Sequence, residues 1–132
     1  MSATREIISP PDRAPNAERS SGQLASMAVR GGDFIFVSGL TAVDLQSGER
    51  LRGTTASETR HILANLQQVL EAAGSSLERL VQVRAMIYDR IEYDALNRVY
   101  RQYVPQGPPA RTVWSVRIID AFKVQLDAVA LA

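Results

Sequence analysis

Helical spacing of apolar residues occurs in only two stretches of this chain, and short strand-like runs surround both, so the fold must join a sheet of several strands to just two helices. From Thr54 onward, Ile62, Leu66, Val69 and Ala73 recur at helical spacing. Thr55 with Glu58 three residues on reads as a capping box, and Gly74 as the stop. Asp89 with Glu92 reads as the cap of a second helix through Leu96, Val99 and Tyr103, closed by Pro105. The strand-like runs begin with a short one around Glu6 to Ile8. Leu24 to Arg30 and Phe34 to Ser38 follow, joined by Gly31-Gly32-Asp33, and this pair reads as a hairpin because paired glycines supply positive φ. A polar turn at Gln46-Ser47-Gly48 comes next. Leu80 to Tyr88, Arg111 to Ile118 and Lys123 to Leu131 complete the set, the last two turning about Ile119-Asp120-Ala121. Ser9 to Gln23, with three prolines, reads as a loop.

This order predicts an α+β fold: a mixed β-sheet with two helices on one face. The uncovered face must be buried in another way, and oligomerisation is the natural one. A chain of 132 residues with 45% hydrophobic and 22% charged content suits one domain over residues 1–132, its first 23 residues forming a strand and loop. Folding at this length buries roughly two-thirds of the unfolded surface, which needs neither disulfide nor metal. Fifteen basic and fourteen acidic residues leave a formal charge of +1, without the basic stripe that a phosphate backbone requires, so nucleic acid is not the expected partner. The absence of cysteine excludes a disulfide framework, a thiolate metal site and a cysteine nucleophile. The first residues lack a signal-peptide apolar stretch, and no window approaches the ~20 apolar residues of a membrane span. The expectation is a soluble, cytoplasmic protein with no membrane partner.

Few residues invite chemistry. His61, the single histidine, lies about 100° round its helix from Ile62 and reads as solvated surface. With one histidine, no cysteine and dispersed acids, no metal site or other cofactor is expected. Ser26 and Ser38 lack a nucleophile-elbow setting, although Ser38, before Gly39 at a strand end, can donate a hydrogen bond to a ligand. Trp114 and the tyrosines Tyr88, Tyr93, Tyr100 and Tyr103 read as packing. Arg111 differs. It follows Gly107-Pro108-Pro109-Ala110, where two prolines restrict the backbone, and a planar guanidinium grips a carboxylate bidentately. The competing reading is that Arg111 pairs with a core carboxylate or covers an edge strand.

Three segments, in this order, carry a resemblance: Val29-Arg30-Gly31-Gly32-Asp33-Phe34-Ile35-Phe36-Val37-Ser38-Gly39, Leu66 through Glu71-Ala72-Ala73-Gly74-Ser75-Ser76-Leu77-Glu78, and Pro109-Ala110-Arg111-Thr112. Together they resemble the reactive intermediate deaminase family, also called RidA/YjgF or L-PSP-like, over roughly Leu24 to Leu131. The resemblance implies a chorismate-mutase-like fold assembled as a homotrimer, with clefts between neighbouring subunits. It implies that Arg111 binds the carboxylate of a 2-imino or 2-enamino acid, that Ser38 lines the same cleft, and that water attacks the imine carbon to release ammonia. The chain also departs from deaminating members. Ala25 stands where they carry a tyrosine, Ile91 for an asparagine before the second helix, Val113 for a cysteine, and Gln125 for the glutamate of the last strand. Glutamine can orient a water but cannot take its proton.

Three functions follow as alternatives. The first is a hydrolase of an enamine, imine or related small carboxylated metabolite, with Arg111 as clamp, Gln125 positioning water and Ser38, Ala25, Ile91 and Val113 lining the cleft. The second is a carboxylate-binding or regulatory module without catalysis. The third is a pathway-specific lyase or hydrolase of a carboxylated ring compound, suggested by the more apolar lining. RNA cleavage is disfavoured by near-neutral charge and the lack of a histidine pair.

Overall fold

A computed structural model describes residues 4–9, 24–104 and 106–132; the loop expected over Ser9 to Gln23, apart from Ser9 itself, and the helix-closing Pro105 lie outside these described residues. The elements are β1 (Arg5–Ile8), β2 (Ala28–Gly31), β3 (Phe34–Leu40), α1 (Thr55–Ala72), β4 (Leu80–Ile87), α2 (Tyr93–Tyr103), β5 (Ala110–Ser115) and β6 (Val124–Leu131). The strands form one sheet in the order β1-β2-β3-β6-β4-β5. Every pairing is antiparallel except β4 with β5, which run parallel because α2 carries the chain back between them. This is the α+β architecture the periodicities predict.

The helices cover one face. Ile62, Leu63, Leu66, Val69 and Leu70 of α1 and Leu96 and Val99 of α2 are fully buried, packed with Ile35, Val37, Val83, Ala85, Leu126 and Ala128 of the sheet. Because side chains alternate across a strand, the residues between these point the other way. There Phe34, Phe36, Trp114 and Leu131 are 40%, 50%, 40% and 39% exposed. Arg84 and Asp127, opposite one another in the β4–β6 ladder, form a two-pronged pair at 2.8 and 2.9 Å on the same face.

Several local features differ from the sequence expectation. Thr54, not Thr55, caps α1: its hydroxyl accepts from the Ser57 amide at 3.1 Å. Thr55 instead donates its hydroxyl to Glu92, which also receives Tyr88 Oη at 3.0 Å, so the Glu92 carboxylate ties α1 to the turn before α2 and raises the Tyr88 pKa above its ordinary value. Glu58 is fully buried and accepts amides from Gly53 (3.1 Å), Lys123 (2.8 Å) and Val124 (3.4 Å), fastening the start of β6 to α1. Gly74, at φ 79°, ends α1 as expected, with its amide on the Glu71 carbonyl and that of Ser75 on Leu70, a Schellman closure.

The run from Leu24 is strand only from Ala28. At the other edge of that hairpin, β3 bulges: Val37 faces Ala128 and Leu40 faces Leu126, leaving Ser38 and Gly39 against a single residue of β6. On its other side Ser38 continues the register of β2, its hydroxyl donating to the Ser26 carbonyl (2.6 Å) and its amide to that of Met27 (2.9 Å).

In the turn before β6, Asp120 and Ala121 take φ values of 63° and 59°, left-handed backbone that costs a residue with a Cβ about 1–2 kcal/mol. Ala121→Gly is therefore expected to raise stability by up to about 1 kcal/mol, a net gain after the added flexibility of the unfolded chain. A urea midpoint that falls rather than rises would contradict that strain.

Candidate functional site

Arg111 is the second residue of edge strand β5, and its ladder partner Val83 is fully buried, so its side chain leaves the sheet on the helix-covered side. It meets one face of α2. Tyr93, Asn97 and Tyr100 stand at i, i+4 and i+7, the spacing that stacks side chains along one stripe. The Nη1 group donates to Asn97 Oδ1 at 2.8 Å and Nη2 to Tyr93 Oη at 3.3 Å. The guanidinium lies 4.7 Å from the Tyr100 ring centroid and 5.8 Å from that of Tyr93. Guanidinium has only donors, so Asn97 must offer its oxygen, which leaves the amide NH2 free to donate elsewhere.

These contacts orient Arg111 without neutralising it. Both hydrogen-bond partners are uncharged, and no carboxylate pairs with the guanidinium among the described residues. The alternative of pairing with a core carboxylate is thus not what the structure contains. The Tyr100 hydroxyl is buried with no hydrogen-bond partner among the described residues; burial raises its pKa, and the Arg111 charge partly opposes the rise.

A cleft of about 510 Å³ opens beside this cluster, lined by Arg111, Tyr93, Asn97 and Tyr100 together with Pro108 and Pro109. Its size falls in the roughly 300–1,000 Å³ range of small-molecule sites. The two prolines that restrict the approach to Arg111 are thus also walls of its cleft.

Of the other residues singled out from sequence, none lines this cleft. Val113 shares the face of Arg111 but packs into the core. Ile91 is 80% exposed on the turn before α2. The asparagine that reaches Arg111 is instead Asn97, inside the helix. Ser38 and Gln125 lie on the opposite face of the sheet, on the paired strands β3 and β6, and Gln125 lies against Gly39, the neighbour of Ser38: a Cβ on Gly39 would stand 2.2 Å from Gln125 Nε2. No group hydrogen-bonds the Gln125 carboxamide among the described residues. Ala25 is exposed in the segment that Ser38 holds. Two strand spacings of about 4.8 Å and the thickness of the sheet therefore separate Gln125 from Arg111.

Sequence reading missed Tyr93, Asn97 and Tyr100 as site residues by assigning the tyrosines to packing. Their signal was present: a polar stripe at helical spacing on the helix leading to the Arg111 strand.

A six-stranded mixed sheet with two helices on one face and an arginine-lined cleft beside its parallel edge strand defines a small α+β domain of the RidA/YjgF type. The endoribonuclease L-PSP family model matches residues 14–132, and the chain belongs to that family, the RidA/YjgF group. It is 32% identical over 106 residues to a RutC family protein of Pyrococcus horikoshii, covering 80% of this chain and 84% of the relative. It is 29% identical over 107 residues to a human protein named 2-iminobutanoate/2-iminopropanoate deaminase, covering 80% and 78%. The fold superimposes on the crystal structure of the yeast protein YEO7 with a TM-score of 0.85 at 26% identity, covering 97% and 98% of the two chains. Among the described residues no helix is long and apolar enough to cross a membrane.

Proposed function

We propose that this protein is a Rid-type hydrolase of a small carboxylated imine or enamine, whose carboxylate is held by Arg111 of one subunit while Gln125 and Ser38 of a neighbouring subunit face the reacting carbon. The observation that carries this reading is the state of Arg111: held by Asn97 and Tyr93, stacked on Tyr100, open to a cleft and lacking an anion. Its family membership, with a relative named as an imino acid deaminase, supports the reaction class. The exposed phenylalanines, tryptophan and leucine of the uncovered sheet face support burial against other copies, in the homotrimer that the family resemblance implies. Since Arg111 and Gln125 leave opposite faces of one sheet, only such an assembly brings them to one substrate.

In the reaction, water oxygen bonds to the imine carbon as the nitrogen gains a proton. The resulting carbinolamine expels ammonia as its hydroxyl proton passes to nitrogen, leaving the ketone. Imines undergo this hydrolysis unaided, so the protein's contribution is to hold the carboxylate and steer the water. The Gln125 carboxamide oxygen accepts a hydrogen bond from that water, and with no glutamate in its place the proton passes through solvent or directly to nitrogen. A module that binds carboxylates without turnover is the second reading, favoured by the same lack of a base at position 125.

Ammonia release from freshly generated imino acids tests the first reading. Wild type should exceed the buffer rate, and the Arg111→Met and Gln125→Ala variants should each fall toward it. Co-expressed subunits carrying one substitution each should regain part of the rate, because mixed oligomers contain clefts with both residues intact. A wild-type rate equal to buffer across the panel rejects hydrolysis, and no regain on mixing rejects the shared cleft.

A further inference from the structure

The cleft beside Arg111 is also lined by a second arginine, Arg101, and by no acidic residue among its described lining. Arg101 follows Tyr100 and stands one turn beyond Asn97 on α2, so it shares the wall that orients Arg111. It has no ion-pair partner among the described residues. Its helical neighbours offer none: Asn97 and Arg98 precede it by four and three residues, and Val104 follows by three. One of these helical positions, that of Arg98, carries another cation. Two arginines lining one concave volume repel each other, and a ligand with a negative group at each end removes that repulsion while gaining both attractions.

We infer that the preferred ligand is a dicarboxylate, its imine-side carboxylate on Arg111 and a distal carboxylate on Arg101. The inference rests on the clamp role of Arg111 and adds the second anchor. Arg101 thereby sets specificity, because a monocarboxylate of the same length leaves it uncompensated.

Calorimetric titration with 2-oxoglutarate and 2-oxopentanoate, stable ketone stand-ins of equal chain length that differ in the terminal carboxylate, tests this. Wild type should bind the dicarboxylate about tenfold or more tightly, as expected for one added charge-assisted contact. Arg101→Gln should collapse the ratio of the two affinities toward one, and raising salt should shrink it in wild type. Equal affinity for the two ketones in wild type, or an unchanged ratio in Arg101→Gln, overturns the dicarboxylate preference while leaving the clamp intact. Affinities for both ketones that survive Arg111→Met overturn the clamp and this inference with it.

Discussion

Arg111→Met is expected to weaken binding of any carboxylate ligand by about 10²–10³-fold, because two charge-assisted hydrogen bonds worth roughly 1.5–3 kcal/mol each are lost and partly replaced by water. Methionine keeps an unbranched side chain but loses the guanidinium contacts with Tyr100, Asn97 and Tyr93, so thermal unfolding of the free protein, measured alongside, separates lost binding from lost fold. Arg111→Lys should not restore affinity: a compact ammonium cannot span both carboxylate oxygens, nor hold Asn97 and Tyr93 together as the fork does. A titration in which Arg111→Met binds carboxylates as wild type does would remove the basis of the functional reading.

The largest stability effect is expected at Glu58, far from that cleft. Glu58→Ala leaves the amides of Gly53 and Lys123 without their acceptor inside the fold, and opens a void where a fully buried side chain stood. Unsatisfied buried donors cost roughly 1–3 kcal/mol each, so a loss of about 2–4 kcal/mol is expected after relaxation. Glu58→Gln keeps one oxygen but turns an NH2 group toward a donor, and should lie between wild type and alanine. Urea unfolding at fixed protein concentration measures the series. Equal midpoints for all three proteins would mean that Glu58 does not fasten β6 to α1.

What was legible in the sequence follows from what periodicity can encode. The recurrence of Ile62, Leu66, Val69 and Ala73 located α1 because tertiary packing needs that stripe, and Gly74 marked its end because the closure needs positive φ. Boundaries set by long-range contacts were less legible. Thr54 and Thr55 are equivalent cap residues in isolation; what distinguishes them is that Thr55 meets Glu92, thirty-seven positions away. The bulge that sets Ser38 and Gly39 against a single residue of β6 likewise depends on strand pairing that no local pattern displays.

The site was legible in part for a related reason. Arg111 stood out because its proline approach is local. That Arg111 and Gln125 leave opposite faces is not local: both numbers are odd, yet Val83 pairs with Arg111 on one side and Ala128 on the other, which puts position 125 out of phase. Ladder register, not alternation within either strand, decides the face. Asn97 was overlooked for want of the same information, since a polar residue in a helix becomes a site residue only when the strand it faces is known.

The most direct measurement of the central claim is a crystal structure of the protein with a bound 2-oxo acid. Both carboxylate oxygens are expected about 2.7–3.0 Å from the Arg111 guanidinium nitrogens, with Gln125 of a neighbouring copy facing the keto carbon. A ligand bound elsewhere, with Arg111 still engaged only by Asn97 and Tyr93, would contradict it.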